Sequence, residues 1–206
     1  MQLLYKAINT LYNQCELLYW KINTFCWTLI VVVSARSRGI TIGPRCVFYG
    51  RTKFKKANKA LIKIGGRVNF RSKSTANLIG INRPCIITAL DSSARLIIGN
   101  HCGFSGTVIG CFTEIIIGNH VMCGANTLIT DGDWHPDDYR SGKPAPIHIE
   151  DNVWLGVNVT VLKGVTIGAN SVIGANSLVV KNIPANCVAG GNPCKVLKEL
   201  EQQIIT

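Results

Sequence analysis

The residues best suited to chemistry stand together in one short stretch, Thr130 to Pro146, which reads TDGDWHPDDYRSGKPAP. Its histidine, His135, is an imidazole that titrates near neutrality, so it can take a proton from an attacking group and hand it on. Asp131 and Asp133 lie close enough in sequence to orient that ring and stabilise its charged form. The same two aspartates suit turns equally well, and the sequence leaves both roles open. With two Gly, three Pro and four Asp, the stretch must be a loop that leaves whatever surrounds it. Such a loop does chemistry only when a rigid element holds it.

That element is legible on both sides of the loop. From Ile149 onward Leu155, Val161, Ile167, Ile173 and Val179 follow at steps of six without a slip. Four residues after each lead stand Val153, Val159, Val165, Ser171, Ser177 and Ile183. Neither a helical period of 3.6 nor an extended strand explains a large apolar residue at every sixth position with a smaller one four later. Short strands joined by tight turns do, with three strands to a coil and each lead pointing into a stacked interior. Ile117 with Cys123, and Ile98 with Phe104, continue the register upstream, although Ile98 to Ile117 contains a slip of one residue. Ile42-Gly43 and Ile64-Gly65 read as earlier, degenerate rungs, and the basic run Arg51 to Lys59 between them reads as a loop. A single interruption is expected, the one between Ile129 and Ile147.

The register also bears on two other histidines. His101 and His120 each stand three residues after a lead isoleucine, so they could stack and serve as metal ligands. Asn152, Asn158, Asn170 and Asn176 fill the same slot elsewhere, and His shares with Asn a tolerance of the left-handed turn. The better reading makes all six turn residues, with no metal expected.

Ahead of the repeats, Leu4, Ile8, Leu11, Cys15, Leu18 and Ile22 alternate steps of four and three, which predicts an amphipathic helix over residues 3 to 23. Tyr5, Tyr12, Tyr19 and Trp20 edge it, and it would dock on its own domain or lie on a membrane surface. No run of eighteen apolar residues occurs, which argues against a membrane-crossing helix. The nearest candidate, Phe25 to Val33, comes late for a signal peptide.

Charge is uneven. No Asp or Glu occurs between Leu17 and Leu90, where 14 of the 22 Lys and Arg lie; the remainder holds 8 basic and 11 acidic residues, hence 8 − 11 = −3. This asymmetry suits an anionic partner facing the N-terminal half, or a solvated basic face. Nine scattered cysteines without a CxxC pair read as small apolar residues of a reducing compartment, and the chain as cytoplasmic.

With DWHP, IEDNVWLG, VTIGANSVIGANSLV and AGGNPCKV in this order, residues from about Ile98 to Leu200 resemble the hexapeptide-repeat acetyltransferases, among them the maltose, galactoside, xenobiotic and polysaccharide O-acetyltransferases. The resemblance implies an all-β left-handed parallel β-helix, a homotrimer, and acetyl-CoA held between neighbouring subunits. It makes His135 the catalytic base; Asp133 and Asp131 stay its candidate orienting acids by their nearness in sequence, and Trp134, next to it, is placed at the substrate. Trp154 and Gly156 would flank the acetyl-CoA tunnel. Ala175 and Lys181 align with further contacts to the donor, and Lys195 and Lys198 stand near its nucleotide phosphates. Ser105, in CGFSG, takes the place of an asparagine of the maltose and galactoside members and resembles the serine of polysaccharide-type relatives, where it could bind the acceptor or the oxyanion.

The reading is therefore an N-terminal amphipathic segment (1–35), a left-handed β-helix acyltransferase domain (36–192) with its loop at 130–146, and a tail (193–206) that is partly helical. The expected activity is acetyl transfer from acetyl-CoA to a sugar hydroxyl of a bacterial surface polysaccharide or its lipid-linked precursor, in a trimer that could touch an anionic inner membrane. Alternatives are an acetyltransferase for an antibiotic or free sugar, a non-catalytic β-helix scaffold, and a metal-dependent enzyme built on His101 and His120.

Overall fold

The structure, a computed structural model, describes residues 1–135 and 137–201. Among these residues, short strands stack into three sheets of six, eight and six members, here called faces one, two and three. Chain order runs face one, face two, face three and back, and every pairing within the wall is parallel. The result is a left-handed parallel β-helix of triangular section.

The six-residue period is the physical cause. Each lead sends its side chain inward, so the interior is three continuous columns. Face one stacks Ile42, Ile64, Ile98, Ile117, Ile149 and Ile167, all buried. Face two stacks Phe48, Phe70 and Phe104, whose rings lie 4.9 and 5.2 Å apart and nearly parallel, and continues through Cys123, Leu155 and Ile173. Face three stacks Phe54, Ile87, Ile109, Ile129, Val161 and Val179. At the first vertex, successive backbones stack so closely that a Cβ on Gly43, Gly65 or Gly99 would come within 2.6 Å of the next coil's backbone. Only glycine fits there.

The same vertex explains the histidines. His101 (φ 59°) and His120 (φ 56°) occupy its left-handed turn, as do Asn152 and Asn170, while Asn158 and Asn176 take the same turn at the vertex between faces two and three. The two imidazoles stack at 4.7 Å, and farther along Asn152, Asn170 and Asn186 form a ladder of side-chain amides.

Several expectations are corrected. The wall starts at Thr41, and the basic run is not a loop: Lys53–Lys56 is a strand of face three, with Phe54 inward and Lys53 and Lys55 outward. Alternation of one apolar residue among lysines suffices once neighbouring strands supply the pairing. The wall is also interrupted twice, because residues 72–85 leave it at the vertex between faces two and three. The tail described as partly helical is instead a strand, Lys195–Glu199, antiparallel to Cys187–Gly190. Gly191, at φ 102°, helps turn the chain back, and the open sheet edge offers backbone partners that a helix would leave unpaired. Residues 202–206 lie outside the described part.

The N-terminal helix runs over Gln2–Arg36, well past the predicted residue 23. The β-branched run at its end would favour a strand, yet docking overrides propensity: Val31 and Ala35 are buried on the first coil, and the Thr28 hydroxyl accepts the Phe48 N–H at 3.0 Å. This end covers the open top of the core. The helix is nevertheless long and apolar enough over Ile8–Arg36, with mean hydropathy 1.4, to meet the length and composition of a membrane span. Polar residues break every apolar run in the sequence, but a window average and an unbroken helix pass over them. All nine cysteines are free, and seven are buried.

Candidate functional site

Thr130 ends a strand of face three, and the chain then leaves the wall at the vertex between faces three and one. Asp131 roots the departure. It is fully buried, and its two carboxylate oxygens accept the N–H groups of Phe112 (2.6 Å) and Thr113 (2.8 Å) from the coil before. Its carbonyl accepts the N–H of Ala145 at 2.9 Å, which closes the base of the loop. Burial, with this carboxylate nearby, pushes the Cys111 thiol up to about 12, so it stays neutral.

Asp133 spans the loop's two limbs. Its carboxylate accepts the Gly142 N–H at 2.9 Å and the Lys163 ammonium at 2.6 Å. Those hydrogen bonds, Lys163 first, hold its pKa below the usual carboxylate value. Both aspartates therefore build the loop, and among the described residues neither bonds the His135 ring. The His135 carbonyl accepts the Ser141 hydroxyl and the Asp138 N–H, so the backbone at the base is fastened while its side chain is exposed. Pro136 lies outside the described residues.

Trp134 presses the loop onto the wall. Its ring meets Phe112 edge to face at 5.4 Å and covers Gly110, where a Cβ would fall 2.4 Å from the indole. The residue is about half exposed.

The remaining predicted residues divide by face. Trp154 projects from face two, in register with Met122 before it and Val172 after it. That outward column continues through Val188 to Lys198, about 14 Å from Trp154 at the usual strand spacing. Gly156 and Ala175 lie at the vertex between faces two and three, where a Cβ on Gly156 would be 2.7 Å from the Ala175 nitrogen. Lys195 is exposed on the terminal strand. Lys181 is exposed at the vertex between faces three and one, on the coil after Lys163 and the His135 loop. In a triangular section that vertex lies opposite face two. One chain thus separates His135 and Lys181 from Trp154 and Lys198.

Ser105 is buried at the vertex between faces two and three, and its hydroxyl accepts the Asn77 amide at 3.1 Å. Asn77 belongs to the second loop, 72–85, which the period did not announce. Asn126 (φ 62°) holds that loop: its amide donates to the Gly80 carbonyl and accepts the Asn82 N–H. Arg83 reaches back to the carbonyls of Gly106 and Asn126. Leu78 and Ile79 stand exposed at the tip. The string NLIGINRP (77–84), with Gly, Asn and Pro, was the available signal.

A profile of the bacterial transferase hexapeptide family (six repeats) matches residues 146–181. Over 107 residues the chain is 48% identical to galactoside O-acetyltransferase of Lactococcus lactis subsp. lactis (strain IL1403), covering 50% of this chain and 51% of that protein. Indeed, the chain spans about half the length of the curated relatives it matches. Among solved structures, a variant of AntD, an N-acyltransferase from Bacillus cereus in complex with dTDP and coenzyme A, superimposes with a TM-score of 0.65 at 16% identity, over 84% of this chain and 90% of that one. The polySia-specific acetyltransferase NeuO gives 0.52 at 24% identity, over 78% and 85%. At these identities the two structures speak to the fold alone.

Proposed function

We propose that this chain, whose repeats are those of the hexapeptide-repeat acetyltransferases, moves an acetyl group from acetyl-CoA to a sugar hydroxyl of a surface polysaccharide or its lipid-linked precursor. The observation that carries the proposal is His135: an exposed imidazole on a loop whose backbone is fastened at its root, across its limbs and by Trp134. In the reaction His135 takes the hydroxyl proton as that oxygen attacks the acetyl carbonyl carbon. It returns the proton to the departing thiolate, so no acyl-enzyme forms.

The donor fits the column on face two. Trp154 offers an apolar surface, Gly156 and Ala175 form the tightly stacked vertex at its edge, and Lys198 and Lys195 supply cations for phosphates at its far end. His135 and this column face apart in one chain, so the proposed active unit is a homotrimer in which the loop of one copy meets face two of the next. The reducing cytoplasm suits nine free cysteines.

Ser105 and the 72–85 loop frame the proposed acceptor side. The test is transfer of labelled acetyl from acetyl-CoA to a panel of polysaccharide, lipid-linked and free-sugar acceptors. His135→Ala is expected to lower the rate by about 10² to 10⁴ without changing the melting temperature. Near-normal transfer by that variant would sink the mechanism.

A further inference from the structure

A second surface lies at the first coil, apart from the loop that carries His135. Ile8, Leu11, Leu18, Ile22, Phe25 and Leu29 recur along the N-terminal helix at steps of three, four and seven, and every one is exposed. At about 100° per residue they form one stripe, directed away from Trp27, Val31 and Ala35, by which the helix docks on the first coil. Lys6, Asn9, Asn13 and Glu16 fall on the docked side. On the docked side, a cleft of about 610 Å³ runs between the helix and face three, with Trp27, Ile30, Val31 and Phe54 inside and the basic side chains of Arg38, Arg51, Lys53 and Lys55 at its edges.

We propose that this helix lies flat in the surface of an anionic phospholipid bilayer, with the stripe among the acyl chains and the exposed basic side chains that flank the helix, Lys53 and Lys55 among them, reaching headgroup phosphates. Charge selects the occupant: no Asp or Glu occurs from residue 18 to residue 90, so nothing on this segment repels an anionic surface. The division of the helix selects the orientation. A spanning helix would immerse Asn9, Asn13 and Glu16 in hydrocarbon, whereas a flat one keeps them on the water side with the β-helix. Docking through the opposite face leaves the stripe free, and the β-helix then stands on the membrane like a block on a rail. The proposal is independent of acetyl transfer, because binding is read without donor or acceptor.

The full chain is tested by flotation with vesicles of phosphatidylcholine alone and of phosphatidylcholine mixed with phosphatidylglycerol. Binding is expected to the mixed vesicles, to weaken in high salt, and to be released by an alkaline carbonate wash. Lys53→Gln with Lys55→Gln should weaken it by about tenfold or more, since both side chains are exposed and leave the fold intact. Leu18→Glu with Ile22→Glu should abolish it while the circular dichroism of the β-helix is kept. A chain that floats with neither vesicle, or as well with neutral as with anionic ones, overturns the proposal. Retention through the carbonate wash overturns the flat placement. So does a Leu18→Glu, Ile22→Glu variant that still floats but forms a smaller oligomer, because the stripe then joins copies of this chain.

Discussion

The two loops that leave the β-helix wall, 72–85 and 131–146, are anchored in opposite ways. The later loop carries its own anchor, since Asp131 begins the excursion and reaches back to the N–H groups of Phe112 and Thr113. The earlier loop is held chiefly from outside, by the amide of Asn126, 46 residues beyond Gly80 in sequence. A loop that supplies its anchor keeps its root geometry whatever its tip does. A loop held by the wall depends on a residue that has its own turn to make. The arrangement matches the parts assigned to the tips: His135 must be placed for proton transfer, while exposed Leu78 and Ile79 have only to meet an acceptor.

The largest effect expected at the roots is that of Asp131→Ala. Two partly buried N–H groups lose a buried, charged acceptor, which should cost about 3 kcal/mol of stability. Thermal melting with acetyl-transfer assays on the same samples checks it, and both should fall. An unchanged melting temperature would mean that the later loop does not depend on its own anchor.

Asn126 should matter less. Asn126→Ala removes two hydrogen bonds and puts a Cβ-bearing residue without a local partner at φ 62°, at a cost of about 1–2 kcal/mol. Asn126→Gly keeps the turn and loses only the amide. Hydrogen exchange at the Asn82 N–H should rise in both variants, and acceptor KM should rise more than kcat falls. If exchange stays slow in both, the wall does not hold this loop.

The smallest effect belongs to the exposed pair Asp133 and Lys163. Hydrogen bonds hold the Asp133 pKa in the folded chain below its unfolded value. Its contribution is therefore present above the ordinary carboxylate range and lost as pH falls through the lowered value. The wild-type chain should exceed Lys163→Ala by a small margin at neutral pH, and by none in acid strong enough to protonate the Asp133 carboxyl in the folded chain. Melting curves at the two pH values measure that margin. A difference that grew in acid would refute the assignment of the pair.

Much of this architecture was open to reading in one dimension. Six-residue spacing determines the wall because each coil repeats the last, so Ile149, Leu155 and Val161 announce three faces by themselves. A break rich in Asp, Gly and Pro is equally local, and it marked the loop that carries His135. Tertiary structure decided what depends on neighbours. Lys53–Lys56 became a strand through pairing with Ile86–Ala89, and Lys195–Glu199 through a free sheet edge. Asp131 and Asp133 read equally as partners of a histidine and as turn residues, and among the described residues they bond backbone and lysine, because two residues near in sequence need not face the same way once the chain turns. The loop at 72–85 stayed hidden for the same reason: its anchor, Asn126, enters its neighbourhood only when a later coil is laid upon an earlier one.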